Sequence, residues 1–455
     1  MNRIAKRSVV VLILALLLIA GFAFFVTEFF AEAGDWVIFP GSPHIYTGGN
    51  IGTGVVLDRE GELLLDLNDG RSYSEDTLLR KAFVHWLGDR NGSVSAPALP
   101  NYAAELAGFD LVNGVYHYGE QGGVAQLSLS AAAQTAALEA MGSYKGTVAV
   151  YNYQTGELLC AVTTPTFDPD NLPDLESDTT GAYEGMYFNR FTQSTYIPGS
   201  IFKIVTLAAA LEEIPDVEQQ SFYCDGTYEF GVDSITCEHA HGTVDLQTAF
   251  RYSCNCAFAQ IALQLGGEKL EMYVEKFGLT ESITFDGITT AAGNFEAAGQ
   301  ADVNVAWSGV GQYNDQMNPC NFLSFMGAIA SGGRGTTPYL VEQVICGTTR
   351  TYASKTQTGE RILSESTAKK LQSYMRANVE LLYGDGNFGG LSVCAKTGTA
   401  QVGGDKKPNA MFSGFVLDEE YPLAFIVCVE DGGYGSTVCI PIAAKVLDAC
   451  KNAID

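Results

Sequence analysis

An unbroken apolar run from Val9 to Val26 limits this chain more than any other feature. Hydrocarbon offers no partner to a backbone N–H or C=O, so only a helix or a closed barrel can cross it, and about 20 apolar residues of helix suffice. Arg3, Lys6 and Arg7 precede the run, and Glu28, Glu32 and Asp35 follow it. Basic residues keep their side in the cytoplasm. The pattern predicts a cytoplasmic tail over 1–7, a transmembrane anchor over 8–30, and all later residues outside the membrane. A cleaved signal peptide is the competing reading, because Ala31-Glu32-Ala33 has the small residues of a cleavage site. Signal h-regions span about 7–15 residues, so length favours the uncleaved anchor.

At 455 residues the chain has room for two or three domains. Its 26 basic and 52 acidic residues give a net charge of -26. That excludes nucleic-acid binding, which needs a basic face, and fits a solvated acidic surface. Eleven cysteines cannot all pair. Cys160, Cys346 and Cys428 lie in apolar stretches and read as small hydrophobes. Cys224 and Cys237 flank a Gly/Tyr/Asp-rich hairpin or loop, where a disulfide and free thiols both stay open. His239 and His241 are near, but without a Cys-x-x-Cys pair no metal site is expected, and no cofactor.

Residues 31–125 are weakly patterned, with short strand-like runs at 54–57 and 63–65, and read as a small β-rich module. Sharper signals begin at 126. Leu127–Leu129 reads as a strand, and Ser130 as the N-cap of a helix Ala131–Met141. Gly146–Tyr151 and Leu158–Thr163 read as a hairpin. Asp168, Asp170 and Asp174 suggest a calcium loop, but Leu172 and Pro173 occupy the fifth position and the glycine position, so the pattern fails. Helices are expected over Ser200–Glu213, Val244–Arg251, Cys256–Leu265 and 440–453. Strands are expected over Leu391–Ala395, Met411–Leu417 and Pro422–Val429. Short connections between consecutive strands imply an antiparallel sheet with helices gathered apart from it, an α+β fold.

Serine needs a partner to remove its proton before it becomes a nucleophile. Five histidines and no Gly-x-Ser-x-Gly elbow argue against a Ser-His-Asp triad. Ser200-x-x-Lys203 offers the alternative, since residues i and i+3 share a helix face and burial in an apolar helix lowers a lysine pKa. Such a tetrad occurs about once by chance in a chain of this length. Ser366-Thr367-Ala368-Lys369 is a second match and reads as the start of an exposed, N-capped helix over Glu365–Asn378. Two more motifs separate the matches. Ser253-Cys254-Asn255 is the only Ser-x-Asn, and Lys396-Thr397-Gly398 the only Lys-Thr-Gly. Lys396 offers a point charge for a carboxylate, and Gly398 lets a ligand backbone approach its strand.

In this order and spacing the three motifs resemble those of the penicillin-binding proteins and serine β-lactamases. The likeness runs over 126–455. It includes Thr155-Gly156-Glu157, Phe167-Asp168-Pro169, Pro198-Gly199-Ser200, Gly309-Val310-Gly311-Gln312, Ala330-Ser331-Gly332-Gly333 and Phe412-Ser413-Gly414-Phe415. Thr53-Gly54-Val55-Val56-Leu57-Asp58-Arg59-Glu60-Gly61 echoes the N-terminal pattern of class B, monofunctional transpeptidases, with Thr53 in place of Arg. The resemblance implies a transpeptidase domain over 126–455 behind an N-terminal extracytoplasmic module over 31–125.

It also implies roles. Ser200 would form an acyl-enzyme with the penultimate D-Ala of a peptidoglycan stem peptide, with Lys203 as base. Ser253 would relay protons, and Asn255 would contact Lys203 and the substrate amide. Lys396, Thr397 and Thr399 would hold the terminal carboxylate, beside Gly398. The backbone N–H groups of Ser200 and Thr399 would form the oxyanion hole. β-Lactams would acylate Ser200, and the lipid bilayer would hold the anchor. Too few residues precede 126 for a glycosyltransferase domain, so a separate glycosyltransferase would supply the glycan strands. Alternatives are a D,D-carboxypeptidase or endopeptidase, a β-lactamase-like hydrolase, and a catalytically idle cell-wall scaffold.

Overall fold

The computed structural model describes residues 2–37, 39, 42, 46–47, 50–68, 70–110, 115–116, 122–404 and 406–454. Parts of the expected 31–125 module, and the chain ends Met1 and Asp455, lie outside these. The apolar run sits in a helix over Asn2–Val37. At 1.5 Å per residue it is about 54 Å long, enough to cross a hydrocarbon core of about 30 Å. The most apolar 18-residue window within Arg3–Ala33 is wholly exposed, and burial begins only toward its C-terminal end, where Ala33 is 5% exposed.

The centre of the protein is a five-stranded antiparallel sheet. Its strands are β1 (Lys145–Asn152), β2 (Leu158–Thr164), β3 (Val393–Ala400), β4 (Asn409–Val416) and β5 (Leu423–Glu430), in the order β2-β1-β5-β4-β3. The register sets Val148 opposite Val427, Ile426 opposite Ser413, and Phe412 opposite Thr397. The β1–β2 turn forms because Asn152 Oδ1 accepts the N–H groups of Gln154 and Thr155 at 2.9 and 3.1 Å. Every residue of β2 and β4 is buried, as expected of strands covered on both faces. Helices Ala131–Met141 and Gly435–Asn452 pack together and onto the sheet. Pro319–Ala330 and Glu365–Asn378 pack against each other and against other parts of the sheet. The fold is α+β, as the strand pattern requires.

The second sheet mixes distant parts of the chain. Its order is Thr349–Ala353, Val341–Cys346, Val124–Leu127, Val55–Leu57, Leu63–Asp66 and Ser72–Tyr73. The Val55–Leu57 strand runs parallel to Val124–Leu127, with Val56 opposite Ala125. Asp58 ties this sheet to the five-stranded core. Its carboxylate accepts the N–H groups of Glu60 and Glu62 and, through Oδ2, that of Ala131 at the start of the Ala131–Met141 helix. The segment is not purely β-rich: Asp76 caps a helix over Thr77–Leu87 that alternation did not reveal.

Three boundaries differ from the sequence reading for identifiable reasons, and the last helix, expected over 440–453, runs Gly435–Asn452. The strand expected at Leu127–Leu129 is Val124–Leu127, because Ser130 accepts the Ala133 N–H and the chain must turn into the helix. The helix expected from Val244 begins at Leu246. Val244 instead pairs with Phe222, and Asp245 caps the helix by accepting the Thr248 N–H at 2.7 Å. Strand β3 extends through Ala400, so the whole Lys-Thr-Gly motif is in extended pairing.

Two of the aspartates that suggested a calcium loop, Asp168 and Asp170, are structural. Asp168 takes both oxygens to Arg80, at 2.7 Å to Nε and 2.7 Å to Nη2, and Asp170 pairs with Arg90 at 2.6 Å. Arg80 lies on the Thr77–Leu87 helix, so this bidentate bond joins the N-terminal segment to the loop after β2. The hydrogen bonds from Arg80 hold the Asp168 carboxyl below its usual range. The contribution is present above the ordinary carboxylate range and is lost as pH falls through the depressed value. Asp168→Asn leaves the largely covered Arg80 guanidinium with only Asp170, 3.7 Å away, as a charged partner and breaks the bidentate bond. It should destabilise the detergent-solubilised protein by about 3 kcal/mol in a denaturant titration.

Candidate active site

Ser200 sits on a 3-10 turn, Gly199–Phe202, and the α-helix proper starts at Lys203 and runs to Glu213. The sequence reading placed Ser200 in the α-helix. The difference sharpens the pairing, because side chains at i and i+3 eclipse in a 3-10 turn. Packing holds the turn. Gly199 has φ +54°, and its N–H donates to Gly311 O at 2.8 Å. A Cβ on Gly311 would fall on Gly199 O. This is the structural use of Gly309-Val310-Gly311-Gln312, a run that carried no chemistry in the sequence reading.

Lys203 is wholly buried. Its Nζ lies 2.8 Å from Ser200 Oγ, and it donates to Ser253 Oγ at 3.2 Å and Asn255 Oδ1 at 2.7 Å. A neutral amine has two donors and one lone pair. Donation to Asn255 and Ser253 leaves that lone pair for the Ser200 proton. Burial pulls the Lys203 pKa down to about 8. Ser253 and Asn255 flank the start of the Asn255–Leu265 helix. Ser253 adopts φ +56°, unusual outside glycine, which aims its hydroxyl back at Lys203. Asn255 Nδ2 donates to Thr236 O at 2.7 Å, fixing its amide.

Strand β3 is the edge of the central sheet and forms the facing wall. Thr397 N–H points off the free edge to Tyr383 Oη at 3.2 Å, and its hydroxyl lies 3.1 Å from the same oxygen. Alternation along the strand sends the Thr399 N–H off the same edge. The Thr399 carbonyl lies against Gly199, where a Cβ would come within 2.6 Å of it. Lys396 is buried, and its Nζ donates to Thr397 O at 3.0 Å. Burial, and then the charge of Lys203, pushes the Lys396 ammonium well below its ordinary range. Gly398 corrects the sequence reading. Its missing Cβ faces Ile201 Cγ2 at 3.0 Å and Pro198 O at 3.1 Å, so the glycine admits the serine turn, not a ligand.

These residues line one cleft of about 590 Å³, including Ser200, Ser253, Asn255, Lys396, Thr397 and Thr399. Tyr383, Arg251 and Tyr434 share it, and sequence reasoning missed all three. The second tetrad is elsewhere. Ser366 and Lys369 are exposed, Lys369 pairs with Glu365 at 3.1 Å, and Ser364 caps the helix.

The penicillin-binding protein transpeptidase domain matches residues 146–448 of this chain. The peptidoglycan D,D-transpeptidase PbpA of Mycolicibacterium smegmatis is 30% identical over 370 residues, 72% of either chain. The chain belongs to the class B penicillin-binding proteins. Stage V sporulation protein D of Bacillus subtilis is 30% identical over 319 residues, 66% of this penicillin-binding protein and 48% of that one. Among solved structures, penicillin-binding protein A from M. tuberculosis, a ceftriaxone acyl-enzyme complex, shares the fold at TM-score 0.76 and 24% identity. The match covers 88% of this chain and 98% of that one. The D,D-transpeptidase domain of a peptidoglycan glycosyltransferase from Eggerthella lenta matches at TM-score 0.73 and 25% identity, with the same coverage.

Three expectations follow from the geometry and from the burial of Lys203. The neutral form of Lys203 grows as pH rises, so acylation by a fluorescent penicillin should climb about tenfold per pH unit below about 8 and level off above it. Lys203→Arg, charged at every accessible pH, should lose about 10³-fold or more in that rate. Gly398→Ala forces a methyl against the serine turn. It should slow acylation on the order of 10- to 100-fold while penicillin labelling remains confined to Ser200.

Proposed function

We propose that this protein is a peptidoglycan D,D-transpeptidase that cross-links stem peptides through a Ser200 acyl-enzyme and is acylated at the same serine by penicillins. The observation that carries the reading is the buried Lys203 amine, within hydrogen-bonding distance of Ser200, Ser253 and Asn255 at once. In the reaction Ser200 Oγ attacks the penultimate D-Ala carbonyl, and its proton passes to Lys203 Nζ. The oxyanion forms against the Ser200 and Thr399 N–H groups. The departing D-Ala amine takes a proton through Ser253. The ester then waits for the amine of a second stem peptide, which attacks while its proton returns along the same path. Lys396, with Thr397 and Thr399, receives the substrate's terminal carboxylate. Asn255 holds Lys203 and the substrate amide.

The basic tail and apolar helix support a single-pass protein of the cytoplasmic membrane with its catalytic domain outside. Residues 31–125 serve as the N-terminal module and 126–455 as the transpeptidase domain. A separate glycosyltransferase supplies the glycan strands. Intact-mass analysis with penicillin should show one covalent adduct on the wild type and on Ser366→Ala, and none on Ser200→Ala. Lipid-linked precursor with a glycosyltransferase should give cross-linked dimers. Release of D-Ala without dimers would instead identify a hydrolase.

A further inference from the structure

Four ligand-type side chains that nothing in the proposed reaction uses converge beside Ser253. Cys224, Cys237, His241 and Cys254 bring one ligand atom each within 4.8 Å of one another. Two of the spacings are diagnostic. Cys237 Sγ and Cys254 Sγ are 3.7 Å apart, and Cys224 Sγ and His241 Nδ1 are 3.5 Å apart. Tetrahedral zinc with bonds of about 2.3 Å to sulfur and about 2.05 Å to nitrogen sets those edges at about 3.75 and 3.55 Å. A disulfide requires about 2.05 Å, and all eleven cysteines are free thiols, Cys224 and Cys237 included.

The surroundings fit a metal-bound thiolate. Cys237 Sγ accepts the N–H groups of Asn255 at 3.0 Å and Cys256 at 3.4 Å, and Cys254 Sγ accepts that of Ala257 at 3.4 Å. Such bonds orient ligands from outside the coordination sphere. His241 stacks on Tyr252 with ring centroids 6.0 Å apart, which fixes its ring plane. The segment also needs a staple. The strands Thr227–Phe230 and Asp233–Thr236 contribute one fully buried side chain, Ile235. So little apolar burial leaves a hairpin marginal without a cross-link or metal.

We infer that Cys224, Cys237, His241 and Cys254 form a closed structural zinc site that fastens this hairpin to the Ser253-Cys254-Asn255 loop. Three thiolates and an imidazole select zinc over calcium or magnesium. Binding releases the thiol protons and involves no redox change. Four protein ligands leave no open position for substrate. The site acts by positioning. Cys254 lies between the two residues that hold Lys203, and Ser253 keeps a backbone conformation that persists only when its surroundings over-determine it.

The positioning part rests on the proposed acyl-enzyme chemistry, whereas the metal content does not. Full-length protein purified in detergent without chelator should carry one zinc per chain by elemental analysis. Cys224→Ser and His241→Ala should each lose it, and Cys346→Ser should keep it. Chelation should slow wild-type acylation by a fluorescent penicillin at least tenfold. Added zinc should restore the rate and added magnesium should not. Wild type without zinc overturns the site, as does a Cys237–Cys254 disulfide found by peptide mass spectrometry. Stoichiometric zinc whose removal leaves the acylation rate unchanged overturns the positioning role. Zinc-loaded wild type that fails to react with penicillin at all would count against the acyl-enzyme reading and leave the metal site standing.

Discussion

Everything in the cleft depends on one buried amino group. Lys203 reaches three oxygens, from the serine turn, the loop at Ser253 and the helix start at Asn255, and its own helix is buried along most of its length. An ammonium there faces no carboxylate within ion-pair distance among the described residues. Burial therefore shifts the balance toward the neutral amine, the form able to take a proton from serine. The surrounding fold can be understood as the means of keeping that amine dry and aimed. The 3-10 turn eclipses Ser200 with Lys203, the left-handed Ser253 turns its hydroxyl inward, and Asn255 is pinned through Thr236.

The second wall is set by sheet geometry. An edge strand has unpaired N–H and C=O groups, and β3 is such an edge. Tyr383 occupies one of these positions at Thr397 and fixes the side of the strand that faces the cleft. The serine turn reaches the same strand because Gly199 and Gly398 remove the side chains that would hold it away, while Gly311 lets its own segment close on the turn. Two glycines from distant parts of the sequence thus set the distance between the serine and the strand, and a third sets the packing of the turn against the Gly309–Gln312 run. The central sheet, covered by helices, keeps that distance stiff.

Much of this was legible in the sequence, because the motifs obey short periodicities. A Ser-x-x-Lys pair is neighbourly by helix geometry, and a Lys-Thr-Gly on an apolar alternating run is a strand. The helix Ala131–Met141 and its Ser130 cap follow from capping chemistry alone. What was not legible depended on tertiary contacts. Gly398 was read as a place for ligand because nothing local says that Pro198 and Ile201 lie against it. Val244 pairs with Phe222, and helical periodicity cannot report such a pairing. Asp168 and Asp170 were grouped by spacing, but their partners Arg80 and Arg90 are about 80 residues away. The absence of a Cys-x-x-Cys pair argued against metal, yet the four ligand atoms gather from one strand end, two loop positions and a helix cap.

The two buried lysines impose a final constraint on the proposed reaction. The charge of Lys203 depresses the charged form of Lys396 beyond what burial does, since the two would be like charges in a poorly solvated site. A substrate ending in a carboxylate changes this balance. Its negative charge beside Lys396 favours the ammonium there, and that new positive charge disfavours protonation of Lys203. In the proposed reaction, recognition of a terminal carboxylate at β3 and readiness of the base at the helix would therefore be coupled through the field between two amines. A peptide lacking that carboxylate would lose both the anchor and the electrostatic push on the base. This gives a physical reason for such a site to act on peptide ends and, by the same charge logic, on the carboxylate of a penicillin.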